Sequence, residues 1–125
     1  MSARVRFLAL VPLVLLAACS GGGSASGVDY TSAKSIAAAI DKGGYACPTF
    51  AASQVMGARE NGSCDHGGTT VTVSTYTSAD AMQQWDKAFA PMMSGVYVAG
   101  DTWQVNLPDK EQATAVQKIV GGEVK

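Results

Sequence analysis

The chain has one histidine and three cysteines in 125 residues, and only 15% of its residues are charged. Each shortage excludes something. A hydrolytic relay needs a nucleophile, a base and an orienter. The lone His66 has Asp65 as a sequence neighbour, which does not make the two face each other. No pair of carboxylates stands at a telling spacing, and Gly21-Gly22-Gly23 lies in a Gly/Ser stretch rather than in a phosphate cradle. The expectation is therefore no catalytic residue and no cofactor, with a small cell-envelope hydrolase using His66 as the alternative. Nine Lys and Arg face ten Asp and Glu, so there is no basic surplus for a nucleic-acid partner. The apolar run Phe7–Leu16 is broken by Pro12 and is about half the ~20 residues that span a bilayer. No internal repeat is visible.

What is present begins at the amino terminus. Arg4 and Arg6 precede the apolar run, and the small residues Ala17 and Ala18 follow it. A positive end, a short apolar centre and a small-residue exit mark a secretory signal. Leu16-Ala17-Ala18-Cys19 resembles the lipobox of bacterial lipoproteins. The resemblance implies that the chain is cut before Cys19 and that the Cys19 thiol carries a diacylglyceryl anchor. Stable anchoring needs two or more acyl chains. The expected division is a signal peptide over residues 1–18, a lipidated end and Gly/Ser tether over 19–28, and one domain over 29–125. The tether reaches about 15 Å. The expected location is the extracytoplasmic face of the cell membrane, held by lipid. Without its leader the chain has seven bases against ten acids. Its membrane contact then rests on the lipid rather than on charge.

With Cys19 spent on the anchor, Cys47 and Cys64 remain, and export to an oxidising compartment predicts a disulfide between them. Its 17-residue loop is worth roughly 3 kcal/mol in the chain-entropy model. The competing use is zinc, held by Cys47, Cys64, His66 and a carboxylate. Export disfavours it, and no metal is expected. Met82, Met92 and Met93 are soft enough for copper(I), but methionine on an apolar helical face more commonly fills core gaps.

The domain reads as helix, strand, strand, helix, one or two strands, helix. Ser32–Lys42 has an apolar stripe of Ala33, Ile36, Ala37 and Ile40, closed by Gly43-Gly44. Residues 54–60 are a weak strand, with a helical turn over 51–57 in competition. Asn61-Gly62 and Gly67-Gly68 bracket a loop containing Cys64. Thr69–Tyr76 is the clearest strand: Val71, Val73 and Thr75 share one face, and Thr72, Ser74 and Tyr76 the other. Ala79–Ala90 is a helix capped by Thr77 or Ser78, with Met82, Trp85 and Phe89 inward. In Val96–Val98 and Trp103–Leu107 the apolar phase shifts across Gly100-Asp101, which predicts a turn or bulge. Asp109, with Gln112 three residues on, opens the last helix.

These elements predict an α+β two-layer sandwich: three helices on one face of an antiparallel sheet of three or four strands, its last strand beside the first. The layout resembles a group of small exported actinobacterial lipoproteins, through the lipobox, an alanine-rich helix, a cysteine pair, a Thr/Val strand and Gly100-Asp101-Thr102-Trp103. That resemblance implies location and fold. The expected function is a non-enzymatic binding or interaction module for an envelope protein or small ligand. Tyr76, Tyr97, Trp103 and His66 are the candidate ligand surface, Tyr76 and Tyr97 pointing outward from their strands and Trp103 weighed against a core position beside Trp85.

Overall fold

A computed structural model describes residues 27–125; the expected signal peptide, Cys19 and nearly all of the expected tether lie outside the described residues. The protein is α+β. Three helices, α1 (Ala33–Lys42), α2 (Ala79–Phe89) and α3 (Lys110–Val120), accompany six strands: β1 (Ala51–Ser53), β2 (Glu60–His66), β3 (Thr69–Thr75), β4 (Val96–Ala99), β5 (Trp103–Leu107) and β6 (Glu123–Val124). The strands form one antiparallel sheet in the order β1-β2-β3-β5-β4-β6.

Local chemistry explains the helices. Ser32 Oγ accepts from the Ser35 N–H, Ser78 Oγ from Ala81, and Asp109 Oδ1 from Gln112, so each helix start is capped. Glu60 of β2 adds its carboxylate to the start of α1, accepting from the Ala33 N–H at 3.0 Å. Gly121 ends α3 with φ +81°, a conformation that glycine adopts without a Cβ penalty.

The sheet is antiparallel as expected but has six strands rather than three or four, and the arrangement differs from the expected one in three further respects. First, Glu60–His66 is a strand, not a loop. Asn61 and Gly62 are buried in it, and Asn61 and Ser74 are opposed across β2 and β3. Gly62 has no side chain because the Phe50 ring occupies that space. The hairpin turn is Gly67-Gly68 alone, with both φ values positive (+56° and +87°), as a two-residue turn matched to strand twist requires. Ala51–Ser53, the start of the stretch for which a helical turn competed, is an edge strand. Second, β5 pairs with β3 and β4 lies beyond it, so the last expected strand is not beside the first. The phase shift at Gly100-Asp101 is a tight hairpin closed by the Gly100 N–H to Trp103 C=O bond at 2.9 Å. Third, the helices do not share a face. α1 and α3 pack over Val71, Val73, Val98, Trp103, Val105 and Leu107 in the main core. α2 packs over Tyr76 and Ala99, on the opposite side of the pleat.

Cys47 and Cys64 are joined by a disulfide, with their Cα atoms 5.2 Å apart. Because Cys64 is in β2, the bond fastens the segment after α1 to a strand. Tyr45 is buried beside it and donates its hydroxyl to Gln112 of α3. No described helix is long and apolar enough to cross a membrane.

Candidate functional site

The second face of the sheet carries polar side chains: Asn61, Thr72, Ser74, Gln104 and Asn106 alternate with the core residues of their strands. Part of this row is satisfied within itself. Ser53 Oγ donates to Asn61 Oδ1 at 2.6 Å, Asn61 Nδ2 donates to Ser74 Oγ at 2.5 Å, and Asn106 Nδ2 donates to the Ser94 carbonyl at 3.2 Å.

Above this floor lies a groove of about 540 Å3. α2 supplies Trp85 and Phe89 to one wall. The 3-10 turn Ala90–Met92, with Pro91 as its second residue, extends that wall with Met92 and Met93. The connection between β1 and β2 forms the opposite rim with Val55 and Met56, folded back by the Ala58 N–H to Val55 C=O bond at 3.1 Å. Gly57 in that connection sits against Trp85. Tyr97 and Gln104 complete the lining.

Two independent features single out this groove. Val55, Met56, Met92 and Met93 are the exposed large apolar residues of the described chain, and all four line it. Met56 is 84% and Met92 73% exposed, too open for packing to account for them. A contiguous apolar patch rimmed by polar groups marks an interaction site. The second feature concerns buried polar atoms. Among the described residues, Trp85 Nε1, Tyr97 OH and Gln104 Oε1 have no hydrogen-bond partner, and all three belong to groove residues. An unpartnered buried polar atom costs about 1–3 kcal/mol, so such atoms are rare unless something satisfies them. A larger hollow of about 670 Å3 beside β1, lined in part by Lys34, Arg59 and Glu60, has neither feature apart from sharing Val55.

The groove itself is uncharged, and the acid behind it is paired with a lysine. None of its lining side chains is ionisable to a cation or carboxylate. Behind it, Asp86 accepts from Gln104 Nε2 at 3.2 Å and pairs with Lys125 at 3.7 Å. Burial pushes the phenol pKa values of Tyr76 and Tyr97 upward, and the Asp86 carboxylate adds to both.

The structure divides the expected ligand surface. Tyr97 is half-buried and lines the groove. Tyr76 does not stand outward. It is 2% exposed beneath α2, with its hydroxyl accepting from Gln104 Nε2 at 3.0 Å. Thr72 and Ser74, expected on an open face, form the groove floor because α2 crosses that face. Trp103 is in the main core, stacked on Tyr30 at 5.1 Å and on the opposite side of the sheet from Trp85. His66 shares its pleat face with Cys64, away from the groove. Its ring lies flat on Tyr45 at 3.7 Å, and Nδ1 is 2.6 Å from the Ala46 carbonyl oxygen. The disulfide takes both sulfurs that a zinc site would need. No group of three or more His, Cys, Asp or Glu among the described residues could hold a metal ion. Met82 is the buried residue of α2 itself, while Met92 and Met93 line the groove and are exposed.

Trp85, Gln104 and Met56 carry no site signal in the sequence, and Met92 carries one only as a soft metal ligand. One further sequence feature pointed toward the groove: the apolar series of α2 continues past Pro91 into Met92-Met93, beyond what the helix needs to bury itself. No protein-family model, curated protein or solved structure matches this chain.

Proposed function

We propose that this protein is a lipid-anchored, extracytoplasmic binding module that takes a small, largely apolar ligand in the groove between α2 and the sheet. The observation that carries the binding half is that the four exposed large apolar residues and the three residues with an unpartnered polar atom all line one groove. A volume of about 540 Å3 falls within the ~300–1,000 Å3 of small-molecule sites. The anchoring half is supported by Arg4 and Arg6, the short apolar run and the Leu16–Cys19 motif. A disulfide in a small domain suits an oxidising compartment.

Two measurements test the two halves separately. Fractionation and intact mass of the wild-type and Cys19→Ser proteins test the anchor. An unchanged mass difference and unchanged membrane association in Cys19→Ser would remove it. Solvent extraction of the purified protein, followed by mass spectrometry, tests the groove. Wild type should carry over an apolar molecule that Met92→Asp loses, and equal carry-over in both would remove the groove as the site.

A further inference from the structure

The groove's polar atoms describe the ligand more narrowly than its apolar walls do. Trp85 Nε1 is a donor only, and Gln104 Oε1 is an acceptor only. The orientation of the Gln104 amide is set by its partners. Its Nε2 faces the Asp86 carboxylate, which accepts and cannot donate, so Oε1 is the buried atom left without a partner. Tyr97 OH supplies either role. A hydroxyl is a neutral ligand group that can both accept from the indole and donate to the amide oxygen. An ionised carboxylate or phosphate has no proton for Gln104 and finds no cation among the lining side chains.

Resting on the binding reading above, we infer that the groove accommodates a neutral, hydroxyl-bearing amphiphile of the monoacylglycerol or lipid-alcohol kind. Its hydroxyl meets Trp85, Tyr97 and Gln104, and its chain runs along Phe89, Met92 and Met93. Unbranched, polarisable methionines adapt to a flexible chain.

The test uses the full chain in phosphatidylcholine nanodiscs at mildly alkaline pH. The discs are doped with a diazirine-bearing monoacylglycerol or a diazirine-bearing fatty acid of equal length, and labelled residues are mapped by mass spectrometry. The monoacylglycerol should label the segments containing Met56 and Met92 at least about tenfold more than the ionised fatty acid. Trp85→Phe keeps an aromatic ring but loses the indole donor, and should weaken competition by unlabelled monoacylglycerol about tenfold. Met92→Asp, at an open position, should suppress labelling. Equal labelling by the fatty acid overturns the neutral class and leaves the groove a binding site. Undiminished labelling of Trp85→Phe overturns the assignment of the hydroxyl. Absence of groove labelling by either probe overturns the binding reading itself. Crosslinks between two copies through Met92 would assign the groove to self-association and overturn the inference.

Discussion

Asp86 accepts a hydrogen bond from Gln104 Nε2 at 3.2 Å, and that bond determines which end of the buried Gln104 amide is left without a partner. The pair links α2 to β5 across the second face of the sheet, where Gln104 is almost fully buried. Replacing the amide with a carboxyl tests the arrangement. Gln104→Glu places a second acid beside Asp86 in a site with little water. An uncompensated buried charge costs about 3–5 kcal/mol. Burial and the neighbouring anion both raise the new carboxyl's folded pKa above its unfolded value of about 4.3. The protonated form should therefore fold well at low pH, with stability lost as pH rises through the folded pKa. Urea denaturation across acidic and neutral pH should show a loss for the variant that wild type does not show.

Core and rim should separate cleanly. Ile36 of α1 is fully buried in the main core, and Ile36→Ala should cost about 2–5 kcal/mol through lost burial and the cavity left behind. Met92→Ala should change stability by less than about 0.5 kcal/mol, because its side chain is already in water. Paired unfolding curves check both. A large loss for Met92→Ala would mean that the groove mouth is packed structure rather than an open site.

The disulfide closes a 17-residue separation. Replacing both Cys47 and Cys64 with alanine should lower stability by about 3 kcal/mol, by enlarging the unfolded ensemble. The urea midpoint of the double variant, beside wild type with and without reductant, measures it. Reduced wild type and the double variant should agree.

At high pH the tyrosines govern stability. Burial first of all raises the pKa of Tyr45, Tyr76 and Tyr97 above the ordinary 10.0. The unfolded chain then releases these protons at lower pH than the folded chain does. Their contribution is intact below pH 10 and is lost as pH climbs through the folded values. Phenolate absorbance should therefore show delayed ionisation that coincides with loss of tertiary structure. Tyr76→Phe should lower the alkaline sensitivity.

The sequence by itself determined the three α-helices of the described residues, because the information is local. Ser32, Ser78 and Asp109 cap, apolar residues recur at helical spacing, and glycines stop α1 and α3. It also determined β3, through alternating β-branched residues, and the cysteine pairing, through a count of thiols under an exported reading. It misread Glu60–His66, because Asn61-Gly62 and a run of small and charged residues look like a loop. Those residues become a strand only because β3 and β1 offer hydrogen bonds on both sides and Phe50 fills the space beside Gly62. The side of the sheet chosen by α2 was equally hidden. Periodicity says that Met82, Trp85 and Phe89 face inward, but not which of two sheet faces they meet. Tertiary structure decided that, since α1 and α3 already cover one face and the β3–α2–β4 crossover passes over the other. That choice buried Tyr76, separated Trp85 from Trp103, and turned a polar row of strand residues into the floor of a groove.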